Sequence, residues 1–254
     1  LKVTFLGTGT SQGIPVITCS CIVCRSADHK DKRLRVSVLV ETDDKTIVID
    51  SGPDFRYQML RAGVKDLDAI VFTHEHKDHV AGLDDIRPFN YLLKKNIDIY
   101  AVERVQHALR REFSYIFAEA HYPGLPQIDL HTINDETFYI GNTAIVPLDI
   151  MHYKLPILGF RIGDFTYITD AKTIPDATVE KIKGTRVLVV NALQKEQHIS
   201  HFTLAEAIEF AEKIGAETTY FTHISHNLGL HEHVEKDLPP NIKLAYDGLT
   251  ILSE

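Results

Sequence analysis

The chain has 254 residues, 44% of them hydrophobic and 24% charged, with a formal net charge of −8; this is an ordinary soluble composition and ample for a buried core. The negative charge argues against a large nucleic-acid footprint, which clustered Lys and Arg would have to supply, but leaves room for a small anion held by metal ions. No apolar stretch approaches the roughly 20 residues that span a bilayer, and no basic region precedes an apolar run at Leu1, so a soluble cytoplasmic protein is expected, although that end says little about targeting.

Residues 2–6 read as a short strand entering a turn with Gly7, Gly9 and Gly13. The turn lacks the Gly-Lys-Ser/Thr ending of a phosphate-binding loop and no helix follows it, so it is not a nucleotide fingerprint. Its glycines are expected to let backbone pass close to a metal site. Cys19, Cys21 and Cys24 are the chain's three cysteines and fall within six residues. An odd, tight set is a poor disulfide framework and a good thiolate cluster, which needs a fourth ligand from elsewhere to hold zinc. Residues 36–41 and 46–50 read as a hairpin turning at Asp43 and Asp44. Asp50 at its end either orients a metal-binding histidine or satisfies backbone donors in a turn. Residues 54–62 read as a helix stopped at Gly63.

The segment FTHEHKDHVAG, residues 72–82, follows the apolar run 68–73, read as a buried strand. His74, His76, Asp78 and His79 lie within six residues. A strand ending in a tight loop aims alternate side chains at one point, while the next turn brings Asp78 and His79 to a neighbouring point. Two adjacent ions are the natural reading, and imidazole with carboxylate suits zinc, manganese or iron. Glu75 sits between two of these residues, but a metalloprotease pair of histidines lies four apart on a helix, so Glu75 is read as solvated.

Beyond the motif, residues 80–93 carry a helical or partly helical pattern, 97–102 a strand and 103–117 a helix. The loop 120–127, with Pro123, Gly124 and Pro126, is read as bordering the site. Strand-like runs follow at 137–139, 143–150, 158–162 and 165–169; His152 lies just past the second and Asp170 closes the last. Residues 186–190 read as a strand, 203–214 as a helix and 218–222 as a strand delivering His223. Thr203 and Glu206 form a capping box that fixes the helix start and places His201 in the turn before it. Most ligand-type residues therefore sit at strand ends, which two mixed sheets packed face to face would gather along one edge. No linker or composition shift divides the chain, so residues 1–254 are read as one domain.

His74, His76, Asp78 and His79, followed in order by His152, Asp170 and His223, resemble the metallo-β-lactamase superfamily over essentially the whole chain. The resemblance implies an α/β fold, an αββα sandwich of two mixed sheets with flanking helices and a two-metal site at its edge. It assigns His74, His76 and His152 to one ion, Asp78, His79 and His223 to the other, and Asp170 to both. No cysteine stands at these seven positions, unlike many β-lactam-hydrolysing members. Gly13, Pro15, Cys19, Cys21 and Cys24 further resemble the zinc-binding insertion of the phosphoribosyl 1,2-cyclic phosphate phosphodiesterases, which implies such an insertion near 13–30 within the one domain. In that family a histidine three residues after the last active-site ligand completes the structural zinc, here His226, and a histidine comparable to His201 lies beside the substrate phosphate.

The resemblance thus implies a phosphodiesterase with two divalent ions (Mn2+, Zn2+ or Fe2+) and one structural Zn2+, acting on 5-phosphoribosyl 1,2-cyclic phosphate or a related sugar or nucleotide phosphodiester. Hydroxide shared by the two ions would attack phosphorus in line, Asp78 would orient it, and His201 would donate a proton to the departing oxygen or hydrogen-bond a phosphoryl oxygen. The expected partner is a small phosphodiester, with no membrane, no large nucleic acid and, by the resemblance, a second copy in a homodimer. Two alternatives use the same metals: a tRNA 3'-processing nuclease and a glyoxalase II-like thioesterase. A third is a metal-binding module without catalysis. His231 and His233, two apart on a helix, would point to different faces, and His29, His107, His121, His131 and His198 have no partner at a ligand spacing.

Overall fold

Alternate residues of the central strands enter different cores. Val38, Val40, Ile47, Ile49, Ala69 and Val71 belong to one apolar cluster, whereas Leu39, Val48 and Ile70 belong to another. That period of two, with both faces buried, is why these strands read as unbroken apolar runs. In the computed structural model, which describes residues 1–118 and 124–253, the first sheet contains β1 (Lys2–Gly7), β2 (Ser37–Glu41), β3 (Thr46–Ile49), β4 (Ala69–Val71), β5 (Ile97–Ala101) and β6 (Ile128–Thr132). The second contains β7 (Phe138–Ile140), β8 (Thr143–His152), β9 (Leu155–Ile162), β10 (Phe165–Tyr167), β11 (Val187–Asn191), β12 (Thr218–Thr222) and β13 (Ile242–Leu244), and β14 (Thr250–Leu252) returns to pair with β1.

Each sheet has seven strands, ordered β14-β1-β2-β3-β4-β5-β6 and β13-β12-β11-β10-β9-β8-β7. Each begins as an antiparallel meander and then changes to parallel pairing, at β3/β4 in the first and β10/β11 in the second. The cluster between the sheets joins Phe5, Val38 and Ile49 to Phe160, Phe165 and Tyr167. On the outer face of the first sheet lie α2 (Phe55–Ala62), α4 (Arg87–Leu93) and α5 (Glu103–Glu112), contributing Phe55, Phe89 and Leu109. On the outer face of the second lie α6 (Asp176–Ile182), α7 (Leu204–Ile214) and α8 (His231–Lys236), contributing Ile182, Phe210 and Val234. Two short helices, α1 (Ile22–Arg25) and α3 (Lys77–Val80), belong to the cysteine loop and the histidine motif. The architecture is the expected αββα sandwich of two mixed sheets.

Several boundaries differ from the sequence reading. The pattern over 80–93 breaks into α3, a 3-10 turn at Leu83–Ile86 and α4, whose Pro88 sits in its first turn, where a missing N–H does no harm. The helix after β5 stops at Glu112 and continues as a 3-10 turn, Ser114–Phe117. β8 extends to His152, so that residue ends the strand instead of following it. Strands β6, β13 and β14 lie at sheet edges, and the partly exposed residues of β6 and β14 lack the apolar density that marked the central strands. Within the loop 120–127, residues 120–123 fall outside the described residues, as does His121.

The C-terminal ends of β3, β4, β8, β10, β11 and β12 meet at one edge, where α3 crosses the turn after β3. Ser51 N–H donates to the His79 carbonyl at 2.8 Å and Gly82 N–H to the Ser51 carbonyl at 2.8 Å. A Cβ on Gly52 would fall onto the Asp78 carbonyl oxygen. Gly52→Ala is therefore expected to lower stability by roughly 1–3 kcal/mol in urea denaturation and to loosen the Asp78/His79 turn. An unchanged urea midpoint would mean that the turn relaxes freely.

Candidate metal centre

The edge is built from strand ends whose backbone turns sharply. Asp50, Asp170 and His223 are non-glycine residues at φ 64°, 58° and 53°, a conformation that persists only where the surroundings hold it. His74 and His76 come from the loop after β4, Asp78 and His79 from α3, His152 from the end of β8, Asp170 from beyond β10, and His223 from the residue after β12.

Two groups of donor atoms result: His74, His76 and His152 in one, and Asp78, His79, Asp170 and His223 in the other, with the atoms of each group within 4.8 Å of one another. Asp170 also closes a third group with His152 and His201. Its Oδ1 is 3.1 Å from His223 Nε2 and 3.0 Å from His201 Nε2, while its Oδ2 accepts from Thr169 Oγ1 at 2.6 Å and lies 3.4 Å from His79 Nε2. The carboxylate thus stands between the groups. Asp78 Oδ2 lies 3.3 Å from His79 Nε2 and 3.8 Å from His223 Nε2.

The outward nitrogens fix the tautomers. Thr73 Oγ1 donates to Asp50 Oδ2 at 2.8 Å, so it accepts from His74 Nδ1 at 3.0 Å. His79 Nδ1 donates to Asp50 Oδ2 at 2.7 Å, and Asp50 is further held by Thr73 N–H at 2.9 Å. His152 Nδ1 donates to the carbonyls of Asp170 and Ser200, both at 2.9 Å. With Nδ1 carrying the hydrogen, each Nε2 presents its lone pair to the interior, the usual outer-shell arrangement around a metal. His74 Nε2 then faces His76 Nδ1 at 3.0 Å. Two nitrogens about 2.0 Å from one tetrahedral ion stand about 3.3 Å apart. His79 Nε2 and both ring nitrogens of His223 are buried without a hydrogen-bond partner among the described residues. The donor set fits cations.

Electrostatics agree. Burial opposes a charge on His79, yet Asp50, Asp78 and Asp170 hold its pKa well above the ordinary value. Burial likewise opposes a charge on His223, but Asp170 and Asp78 raise it to about 9. Against the same desolvation, His223, His79 and His201 hold the Asp170 carboxyl well below the carboxylate range. Without a cation, protons on the histidines balance the buried carboxylates. His201 is buried and pushed down to about 4, the Asp170 contact only partly offsetting desolvation.

A second centre joins distant parts of the chain. Sγ of Cys19, Cys21 and Cys24 lies 3.3, 3.4 and 3.6 Å from His226 Nδ1. Sulfur at about 2.3 Å and nitrogen at about 2.0 Å from one tetrahedral ion stand roughly 3.5 Å apart. Cys21 caps α1 by accepting from Cys24 N–H, and this bond, with help from His226, lowers its thiol to about 6. Burial raises Cys24 to about 11. The glycine turn passes beside this region: Thr10 N–H donates to the Ile224 carbonyl at 3.1 Å and Ile224 N–H to the Thr8 carbonyl at 2.9 Å.

Two sequence readings need correction. Glu75 is not solvated: it pairs with Arg104, which also donates to the Pro156 carbonyl at 2.5 Å, and its second oxygen is buried. His198 is not isolated, since its Nδ1 lies 3.1 Å from His201 Nδ1. The three-residue interval before the capping box was the available signal. Asn191 was also missed; its side chain accepts from Ala171 N–H at 2.7 Å and donates to the Ala171 carbonyl at 3.0 Å, pinning the turn that presents Asp170. Of the remaining histidines, His231 is buried against Arg33 Nη2 at 3.0 Å, while His29, His107 and His233 are exposed.

The sequence pattern of the β-lactamase superfamily domain matches residues 45–224, a stretch that contains every residue of both donor groups. The chain belongs to the β-lactamase superfamily. Within this superfamily, a crystal structure of a diphosphatase from the PhnP family is 42% identical and superposes with a TM-score of 0.93, the match covering 98% of this chain and 96% of that one. At that identity and coverage the chain also belongs to the PhnP family. An octanoyltransferase of Porphyromonas gingivalis (strain ATCC BAA-308 / W83) is 42% identical over 252 residues, covering 98% of this chain and 51% of that protein, so the chain spans about half of its length. A ribonuclease Z of Mycobacterium sp. (strain KMS) is 24% identical over 256 residues, covering 88% of this chain and 84% of that enzyme.

Two opposed pH effects are expected in metal-free protein. His223 is raised to about 9 from 6.5, so its stabilisation is full below 6.5 and lost as pH rises through 9. Cys21 is lowered to about 6 from 9.0, so its stabilisation is full above 9 and lost as pH falls through 6. In the Cys19→Ser, Cys21→Ser, Cys24→Ser triple variant only the histidine contribution remains, and the Tm of EDTA-treated protein should fall between pH 6.5 and about 9. Loading with manganese or zinc, which replaces the proton, should flatten that slope. The triple variant should also bind one zinc fewer by elemental analysis. A Tm that rises across the window contradicts the histidine assignment, and an unchanged zinc content contradicts the cysteine one.

Proposed function

We propose that this PhnP-family member is a two-metal phosphohydrolase acting on a small phosphodiester, foremost a five-membered cyclic phosphate such as 5-phosphoribosyl 1,2-cyclic phosphate. The observation that carries the reading is Asp170: one buried carboxylate between two donor groups, with His201 Nε2 on its Oδ1 at 3.0 Å. His74, His76 and His152 would hold one ion and Asp78, His79 and His223 the other, with Asp170 between the two groups. Divalent manganese, zinc or iron would supply Lewis acidity toward a phosphoryl oxygen and an ionisable water. Asp78, with one oxygen free, orients the attacking water. His201 delivers a hydrogen at Nε2 to the departing oxygen, since an alkoxide is a poor leaving group. Cys19, Cys21, Cys24 and His226 would hold a structural zinc.

A diphosphate is the second reading, favoured by the diphosphatase of the PhnP family to which this chain is 42% identical. Both substrates present a phosphorus flanked by two ester or anhydride oxygens. The ribonuclease Z likeness, at 24% identity, supports phosphodiester chemistry in general, and a net charge of −8 disfavours an extended RNA.

Turnover of a panel by manganese- or zinc-loaded protein tests this: 5-phosphoribosyl 1,2-cyclic phosphate, 2',3'-cyclic nucleotides, a dinucleoside diphosphate, a pre-tRNA and a lactoyl thioester. Preference for a cyclic phosphate is expected. Preference for the diphosphate moves the substrate to an anhydride, and hydrolysis of the thioester alone sinks the phosphohydrolase reading. His201→Ala should lower kcat about 10²-fold on a diester with an alkoxide leaving group and change it little on bis(p-nitrophenyl) phosphate. Equal losses on both count against proton donation.

A further inference from the structure

His201 makes contacts on both sides of its ring, and only one faces the metal-ligand groups. Nε2 lies 3.0 Å from Asp170 Oδ1. Nδ1 points the other way, 3.1 Å from His198 Nδ1 and 3.0 Å from Ser200 Oγ. The direction of the histidine–histidine bond follows from a third contact. The backbone N–H of Ser200 donates to His198 Nδ1 at 3.3 Å. That nitrogen therefore presents a lone pair, and the hydrogen between the rings belongs to His201 Nδ1. His198 is half-buried and His201 is buried, so the outer ring stands between the inner one and solvent.

We propose that His198 is a positioning residue for His201, its Nδ1 serving as the acceptor that fixes the inner ring and keeps Nε2 aimed at the reaction centre. The idea rests on the role given to His201 above. An imidazole held at one nitrogen only can rotate about its χ2 bond, and a buried N–H without an acceptor is costly. The His198 lone pair, together with Ser200 Oγ at 3.0 Å from His201 Nδ1, answers both and fixes the plane of the ring. It leaves Nε2 as the position from which a hydrogen is given up. The step requires His201 to carry a hydrogen on both nitrogens, which the anionic substrate and the His198 lone pair favour: hydroxide oxygen bonds to phosphorus, the bond from phosphorus to the departing oxygen breaks, that oxygen takes the Nε2 hydrogen, and the Nδ1 hydrogen stays on the now neutral His201, shared with His198.

The rest of the surroundings fits a built support. Phe202 N–H donates to the Ala171 carbonyl at 2.8 Å, tying the segment just after His201 to the Asp170 turn. Glu206 accepts from Thr203 N–H at 2.8 Å and from Lys172 Nζ at 2.7 Å, which anchors the start of α7 to the same turn. Backbone position is thus fixed without His198. Its distinct contribution is the orientation of one ring.

The test uses metal-loaded full chain carrying His198→Ala, His198→Asn, His201→Ala and the His198→Ala/His201→Ala double change, assayed on the preferred diester and on bis(p-nitrophenyl) phosphate. Losing one acceptor should lower kcat roughly three- to tenfold on the diester, with KM nearly constant and little effect on the p-nitrophenyl ester. Asn places its Oδ1 near the His Nδ1 position, so His198→Asn should recover most of the loss. The double variant should be no slower than His201→Ala. Wild-type kcat in His198→Ala beside an impaired His201→Ala overturns this inference and leaves the His201 reading standing. Wild-type activity in His201→Ala overturns both. Equal losses in His198→Ala and His198→Asn, or a further loss in the double variant, show that His198 acts otherwise. Because His198 lies in a half-exposed loop, Tm values within about 2 °C of wild type are expected for its variants.

Discussion

The structure depends most on how a buried carboxylate is kept charged. Asp170 sits in a left-handed turn at the edge of the second sheet, almost without solvent, where an unpaired anion would cost several kcal/mol. His79, His201, His223 and Thr169 all point at it. Those partners are the adjacent Thr169, His79 from α3, His223 from the end of β12 and His201 from the turn before α7, so the anion is satisfied only when both sheets are in register. Fold and site are therefore one constraint. The turn from antiparallel to parallel pairing in each sheet puts the relevant strand ends at the same edge, where ligand positions collect in open α/β sheets.

Around this carboxylate the protein also devotes residues to direction. Asp50, Thr73 and two backbone carbonyls place the hydrogens of His74, His79 and His152 on their outer nitrogens. Asn191 braces the Asp170 turn, and Gly52 lets α3 come close enough for Asp78 and His79 to reach inward. In the proposed arrangement the same logic extends outward through His201 to His198. The cysteine cluster works at a distance: by meeting His226 it links the N-terminal loop to the segment that follows β12, three residues beyond His223.

Membership of the β-lactamase superfamily accounts for the architecture and for the ligand types, and the 42% identity to a PhnP-family diphosphatase narrows it further. Here the rim carries His201, His198 and the Glu75–Arg104 pair, and Arg104 ties α5 to the hairpin between β8 and β9.

Much of this was legible beforehand because dense local spacing leaves few alternatives. Four ligand-type residues in six, three cysteines in six and a capping box each specify a local geometry, and apolar runs with period two specify buried strands. The sequence by itself determined the ligand types, the central strands and the start of α7. It could not decide pairings across long separations, because a side chain's partner depends on where another strand ends. Whether Asp50 orients His79 or merely closes a turn was open until β3 and β4 were seen side by side. Glu75 looked solvated because Arg104, 29 residues on, is brought to it only by the packing of α5. His198 looked isolated because its partner, three residues away in a loop, has no helical or strand period to betray a contact. Tertiary structure alone decided those, through hydrogen-bond direction and burial that no local pattern encodes.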